Sequence, residues 1–192
     1  MRLSVITDEV SQDLKVALDF AARHGLQGVE LRSVAGRGPF EWDDADWRAI
    51  RGALQSANLP ACAFSAPLFK CAIDDGPTRA RQMARLPIAM ERAAEVGATI
   101  IRGFAFWREA GELPINRIVD AYGPVAELAE QFGVTIALEV EPSVYTVSAA
   151  SLRAVLQAIA HPRVRAVWDG ANLLYDRAGE RPADGYEILK DW

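Results

Sequence analysis

The sequence predicts a parallel α/β fold of barrel type, apparently incomplete, with about six of the eight strand–helix units that close such a barrel. Three observations carry that expectation. Short β-branched or apolar runs alternate with longer stretches of helical period. The turn after the first strand, TDEVSQD, holds three acids and no glycine, which speaks against the phosphate cradle of an open doubly wound sheet. Polar residues gather at the strand ends, the face on which a barrel builds its site.

Taken in order, RLSVIT (2–7) reads as a strand and SQDLKVALDFAARHG as a helix, with Ser11 as N-cap, Leu14, Ala17, Leu18 and Ala21 on one face, and Gly25 as stop. GVELR (28–32) is the second strand, followed by a helix over about 43–57. PACAFSA (60–66) leads through a loop to a helix over about 78–96, in which Pro87 predicts a kink or a break. TIIRGF (99–104) precedes a helix over about 114–132 that stops at Gly133. VTIALEV (134–140) precedes a helix over about 148–160, and RVRAVWD (163–169) precedes a final helical stretch over 186–191. The chain is expected to be a single domain, 1–192, that lacks the C-terminal strand–helix units of a full barrel.

Strand alternation assigns faces. In VTIALEV, Thr135, Ala137 and Glu139 share one side, while Ile136, Leu138 and Val140 suit a layer packed against outer helices. Glu139 then faces the barrel interior at its top. In RVRAVWD the same rule groups Arg165, Val167 and Asp169. Two inward carboxylates on adjacent strand ends repel unless a cation or a proton lies between them; the alternative for each is an ion pair, to Arg102 or Arg165.

Composition argues against several classes. The formal net charge is −5, and Lys and Arg are scattered, which argues against a nucleic-acid partner. No run has the length of a membrane span, and MRLSVITDEVSQDL lacks the basic-then-apolar pattern of a signal, so the chain reads as cytoplasmic with no membrane partner. The two cysteines, Cys62 and Cys71, read as buried or semi-buried thiols, and the two histidines, His24 and His161, lie too far off in sequence to form a zinc pattern with them.

The stretches ITDEVSQDL, GVELR, FSAPLFK, ALEVEP and VWDGANL, each at its proper strand end, resemble the xylose-isomerase-like superfamily of TIM barrels, in particular its sugar phosphate isomerase/epimerase members. The resemblance implies divalent-metal-dependent proton transfer through an enediolate on a sugar, sugar phosphate or hydroxy acid. It maps metal ligation (Mg, Mn, Zn or Co) onto Glu139 and Asp169, with Glu139 also the catalytic carboxylate. It implies Glu30, Lys70, Arg102 and Asn172 as substrate-binding, with Glu141 standing where many relatives have a histidine. The family's remaining ligands, a His and a Glu on two further strands, have no counterpart here, so the metal is expected to be weakly held or absent.

Six strands leave two edges. The options are a fragment, a barrel completed by another chain as a homo-oligomer, or an open sheet. The competing functions are a truncated barrel acting as an assembly or binding module, a superfamily dehydratase, and an abasic-site endonuclease, the last disfavoured by the acidic balance and few histidines.

Overall fold

The computed structural model describes residues 2–174 and 179–192. Its elements run β1 (Ser4–Ile6), α1 (Thr7–Val10), α2 (Leu14–Arg23), β2 (Gly28–Leu31), α3 (Asp44–Ala57), β3 (Ala61–Leu68), α4 (Gly76–Glu95), β4 (Ile100–Gly103), α5 (Ile115–Phe132), β5 (Thr135–Glu139), α6 (Ala149–Ile159), β6 (Val164–Val167), α7 (Gly170–Leu173) and α8 (Pro182–Leu189). The six parallel strands form a sheet in the sequential order β1-β2-β3-β4-β5-β6. This is the arrangement that strand–helix alternation requires, because each helix supplies the crossover between parallel neighbours. Among the described residues, no helix is long and apolar enough to cross a membrane.

The chain divides into two compact units, Met1–Ala66 with Arg85–Ile101, and Pro67–Ala84 with Arg102–Trp192. In the first, β1 pairs with β2 from Ser4↔Gly28 to Ile6↔Glu30. Pairing of β2 with β3 skips one residue, Val29 facing Ala61 and Glu30 facing Ala63. The extra residue is Cys62, whose thiol donates to the Val29 carbonyl; such a bulge re-aims the side chains that follow it. Trp42, Trp47 and Phe64 pack as a buried aromatic cluster, Trp42 against Phe64 edge to face at 5.6 Å.

Two local expectations are revised in this unit. The N-cap of α2 is Asp13, which accepts from the Lys15 amide, rather than Ser11. Ser11 instead closes the short α1, its own N–H donating to the Thr7 carbonyl. Of the kink or break expected at Pro87, the break does not occur: α4 runs on through it, and the buried Leu86, Ala89, Met90 and Ala93 give the helix an apolar face that continues past the missing N–H.

In the second unit β5 pairs with β6 from Ile136↔Val164 to Glu139↔Val167. Gly133 ends α5 in the left-handed conformation at φ 67°, as a stop glycine does without steric cost. Gly103 serves a different need. A Cβ there would lie 3.0 Å from the Tyr122 hydroxyl and 3.3 Å from Leu138 Cδ2, so its absence lets α5 approach the sheet, and Tyr122 donates a 2.7 Å hydrogen bond to the Phe104 carbonyl. Ile136 and Leu138 are on this helix-facing side, as alternation predicts. Ser148 caps α6 through a reciprocal pair with Ser151. The last helix, α8, starts at Pro182, four residues before the predicted stretch, with proline in its first turn where no N–H is needed.

Candidate functional site

The second unit brings five of the predicted site residues into one cluster at strand ends. Glu139 closes β5 and is 5% exposed. Its Oε1 accepts from Asn172 Nδ2 at 3.1 Å, and the same amide group donates to the Val140 carbonyl at 3.0 Å. Its Oε2 lies 2.8 Å from Arg102 Nη1. Arg102 is on β4, the guanidinium 5.3 Å from the ring centre of Phe104. Lys70 sits 4.6 Å from the same ring and 3.8 Å from Glu141 Oε2. Glu141 in turn accepts from the Ser143 amide and hydroxyl.

Local backbone puts these groups there. Phe69 adopts φ 57°, rare for a bulky residue, and turns the chain immediately before Lys70; its amide is held by the buried Gln82 side chain at 2.8 Å. Phe106 repeats this at φ 61° beyond β4, and the two rings stack at 4.8 Å. Backbone bonds then tie the three loops together: Trp107 N–H to the Cys71 carbonyl, Arg108 N–H to that of Ser143, and Tyr145 N–H to that of Phe106. Thr146 Oγ1 donates to the Glu139 carbonyl, fixing the end of β5. Strain of this kind persists where surrounding structure over-determines it, and functional sites collect it.

Electrostatically the cluster is a buried carboxylate among near-balanced charges. Burial pushes the Glu139 carboxyl above its usual range; Arg102 and Lys70 pull it down, and Asp169 and Glu141 push it further up, with the net shift upward. The pair with Arg102 is short but poorly aligned. Glu139 Oε2 and Arg102 Nε are both buried without a hydrogen-bond partner among the described residues, whereas a settled structural pair of this type is commonly bidentate.

Asp169 lies two residues past β6, at a strand end, and its charge adds to the upward push on the Glu139 carboxyl. It is the N-cap of α7, and Oδ1 accepts from the amides of Ala171 at 2.9 Å and Asn172 at 3.1 Å. This cap sets the start of the short helix that carries Asn172 to Glu139. Glu30 belongs to the first unit, on β2, in contact with the Ser65 hydroxyl. Near it in sequence, Arg32 pairs with Asp8 at 3.0 Å and Glu9 at 2.6 Å, and Ser33 donates to Asp8. Sequence reading missed Phe104, the ring shared by both cations, although it lies two residues after Arg102, at the end of the expected strand TIIRGF, where alternation gives the two one face. Thr146 and Ser143 carried no readable signal.

The donor set does not fit a metal site. Among the described residues no group of three or more His, Cys, Asp or Glu side chains could hold a metal ion. Glu139 is engaged by a guanidinium and an amide, and Asp169 spends one oxygen on α7. Two carboxylates so committed fall short of the six or so oxygen ligands that hard cations take, even with water making up part of the shell.

Over residues 18–191 the sequence matches the xylose isomerase-like TIM barrel family. The chain belongs to that family. Solved structures of xylose isomerase-like proteins share its fold. D-allulose 3-epimerase from Methylomonas sp. superposes with a TM-score of 0.79 at 18% identity, covering 100% of this chain and 70% of the epimerase. The probable 3-DHS dehydratase AsbF from Bacillus anthracis gives 0.78 at 20% identity, covering 100% and 70%. A xylose isomerase-like TIM barrel protein from Mycobacterium smegmatis, in complex with magnesium, gives 0.75 at 15% identity, covering 98% and 71%. No curated protein matches the chain.

Proposed function

We propose that the chain moves a proton next to the carbonyl of a sugar or hydroxy acid, as an isomerase or epimerase, with Glu139 as the carboxylate that takes it. In an isomerisation Glu139 returns it to the adjacent carbon on the same face, and in an epimerisation a second acid delivers a proton to the opposite face. One observation carries this reading: Glu139 is a buried strand-end carboxylate whose proton affinity is raised by burial, faced by a cation with which it is not hydrogen-bonded. A general base is most effective when its pKa approaches the working pH, and burial is a common way to move a Glu there. Hydrogen bonds at catalytic groups are often misaligned until substrate arrives.

The neighbours have separable roles. Asn172 holds Oε1, leaving Oε2 as the atom that handles the proton. Arg102 and Lys70 stabilise negative charge that develops on the substrate oxygens as the proton leaves, and both are kept in place by Phe104. Glu141 restrains Lys70 at 3.8 Å, too far to neutralise it by direct hydrogen bonding. Epimerisation and dehydration both begin with this proton removal, and the fold neighbours include an epimerase and a probable dehydratase.

Incubation of the purified protein with a panel of ketoses, sugar phosphates and keto or hydroxy acids, followed by NMR of the products, tests the reading. Wild type should form an epimer or isomer of at least one compound, and Glu139→Gln should slow it by about 10²-fold or more. A panel with no product, or a Glu139→Gln rate equal to wild type, refutes it. A dehydration product in place of an epimer assigns the same proton transfer to the other outcome.

A further inference from the structure

The place beside Glu139 that a divalent cation would need is occupied by a side chain. Arg102 Nη1 is 2.8 Å from Oε2, and the Arg102 side chain is 15% exposed. Its guanidinium rests on Phe104, itself buried. On the other side, Oε1 meets the N–H of Asn172. Oε1 therefore accepts from an amide, and Oε2, although not hydrogen-bonded, faces a fixed positive charge at 2.8 Å, which a metal ion does not tolerate at contact distance. An arginine in a protein does not deprotonate, so this charge cannot be switched off to admit the ion.

We infer that Arg102 is a resident cation at Glu139, standing where a divalent metal would otherwise bind, so that the carboxylate takes a metal ion only after the guanidinium is displaced. Three further features agree. Asp169 commits Oδ1 to two amides of α7, Lys70 adds a second positive charge on the same aromatic ring, and the described residues contain no third ligand. The inference goes beyond the proposed reaction, since it concerns which cation Glu139 accepts and is read without any turnover.

Mn²⁺ titration followed by calorimetry and by the loss of the free-ion paramagnetic resonance signal tests it. Wild type and Arg102→Lys should bind with a Kd above about 1 mM. Arg102→Met should bind at least about tenfold tighter, equivalent to about 1.4 kcal/mol, and adding Glu139→Gln to it should remove that gain. Arg102→Gln, which keeps a polar head without the charge, provides a second neutral variant where methionine compromises folding. Wild-type binding tighter than about 0.1 mM that Glu139→Gln abolishes overturns the inference. So does binding to the folded neutral variants no tighter than to wild type.

Discussion

Removing the guanidinium should cost the fold more than removing both partners of the pair would suggest. Arg102→Met leaves Glu139 buried at 5% exposure with Asn172 as its one side-chain partner. Breaking a buried pair from one side costs about 3–5 kcal/mol, and the lower end applies because Glu139 can escape by taking a proton. About 3 kcal/mol in a chain of this size lowers Tm by roughly 6–12 °C. Glu139→Gln keeps an acceptor for Asn172 but strands the Arg102 guanidinium, which cannot neutralise itself, so about 3 kcal/mol is expected here as well. The double variant should cost no more than about 3 kcal/mol, a coupling of at least about 3 kcal/mol. Urea unfolding of the four proteins at pH 7 and 25 °C, with far-UV dichroism to confirm secondary structure, supplies the cycle. Additivity within about 0.5 kcal/mol would mean that the two charges do not compensate each other in the interior.

Three other outcomes are expected. Tyr122→Phe strands the buried Phe104 carbonyl, which now accepts at 2.7 Å, and should lower stability by about 1–3 kcal/mol in the same urea assay. Cys71 is 2% exposed and burial pushes its thiol up, so iodoacetamide should modify Cys62 first and reach Cys71 only under unfolding conditions, as read by peptide mass spectrometry. The Glu95 carboxyl is held below its usual range, first by the Trp47 indole N–H and then by Arg51. A depressed carboxyl contributes stability that is complete above its unfolded value, near 4.3, and is lost as pH falls through the lower folded value. Glu95→Gln should therefore destabilise at pH 7 and flatten the acid limb of the Trp fluorescence unfolding profile below about pH 4.

The fold was legible because its strands are short, apolar and separated by helices with clear stops such as Gly133. Glu139 was legible for a related reason: period-two alternation along β5 separates it from Ile136 and Leu138, which pack towards Tyr122. Its ion pair with Arg102 was visible as one of two options, but choosing Arg102 over Arg165 needed the neighbouring strand in place. Asp169 was legible as a strand-end carboxylate, but its capping of α7 was not, because a four-residue helix is too short to leave a periodic pattern. Lys70 and Asn172 reach the cluster through tertiary geometry. A left-handed Phe69 precedes one, and a cap followed by a 33-residue reach in sequence carries the other; neither is advertised by composition.

Deuterium wash-in reads proton transfer by Glu139 without requiring a favourable product equilibrium. The purified protein is incubated in D₂O with each carbonyl compound of the panel, with and without added Mn²⁺, and the C–H next to the carbonyl is followed by ¹H NMR. Wild type should exchange that hydrogen in at least one compound, with the rate falling about 10²-fold or more in Glu139→Gln. Exchange that persists unchanged in Glu139→Gln, or no exchange in any compound under either condition, would contradict the account.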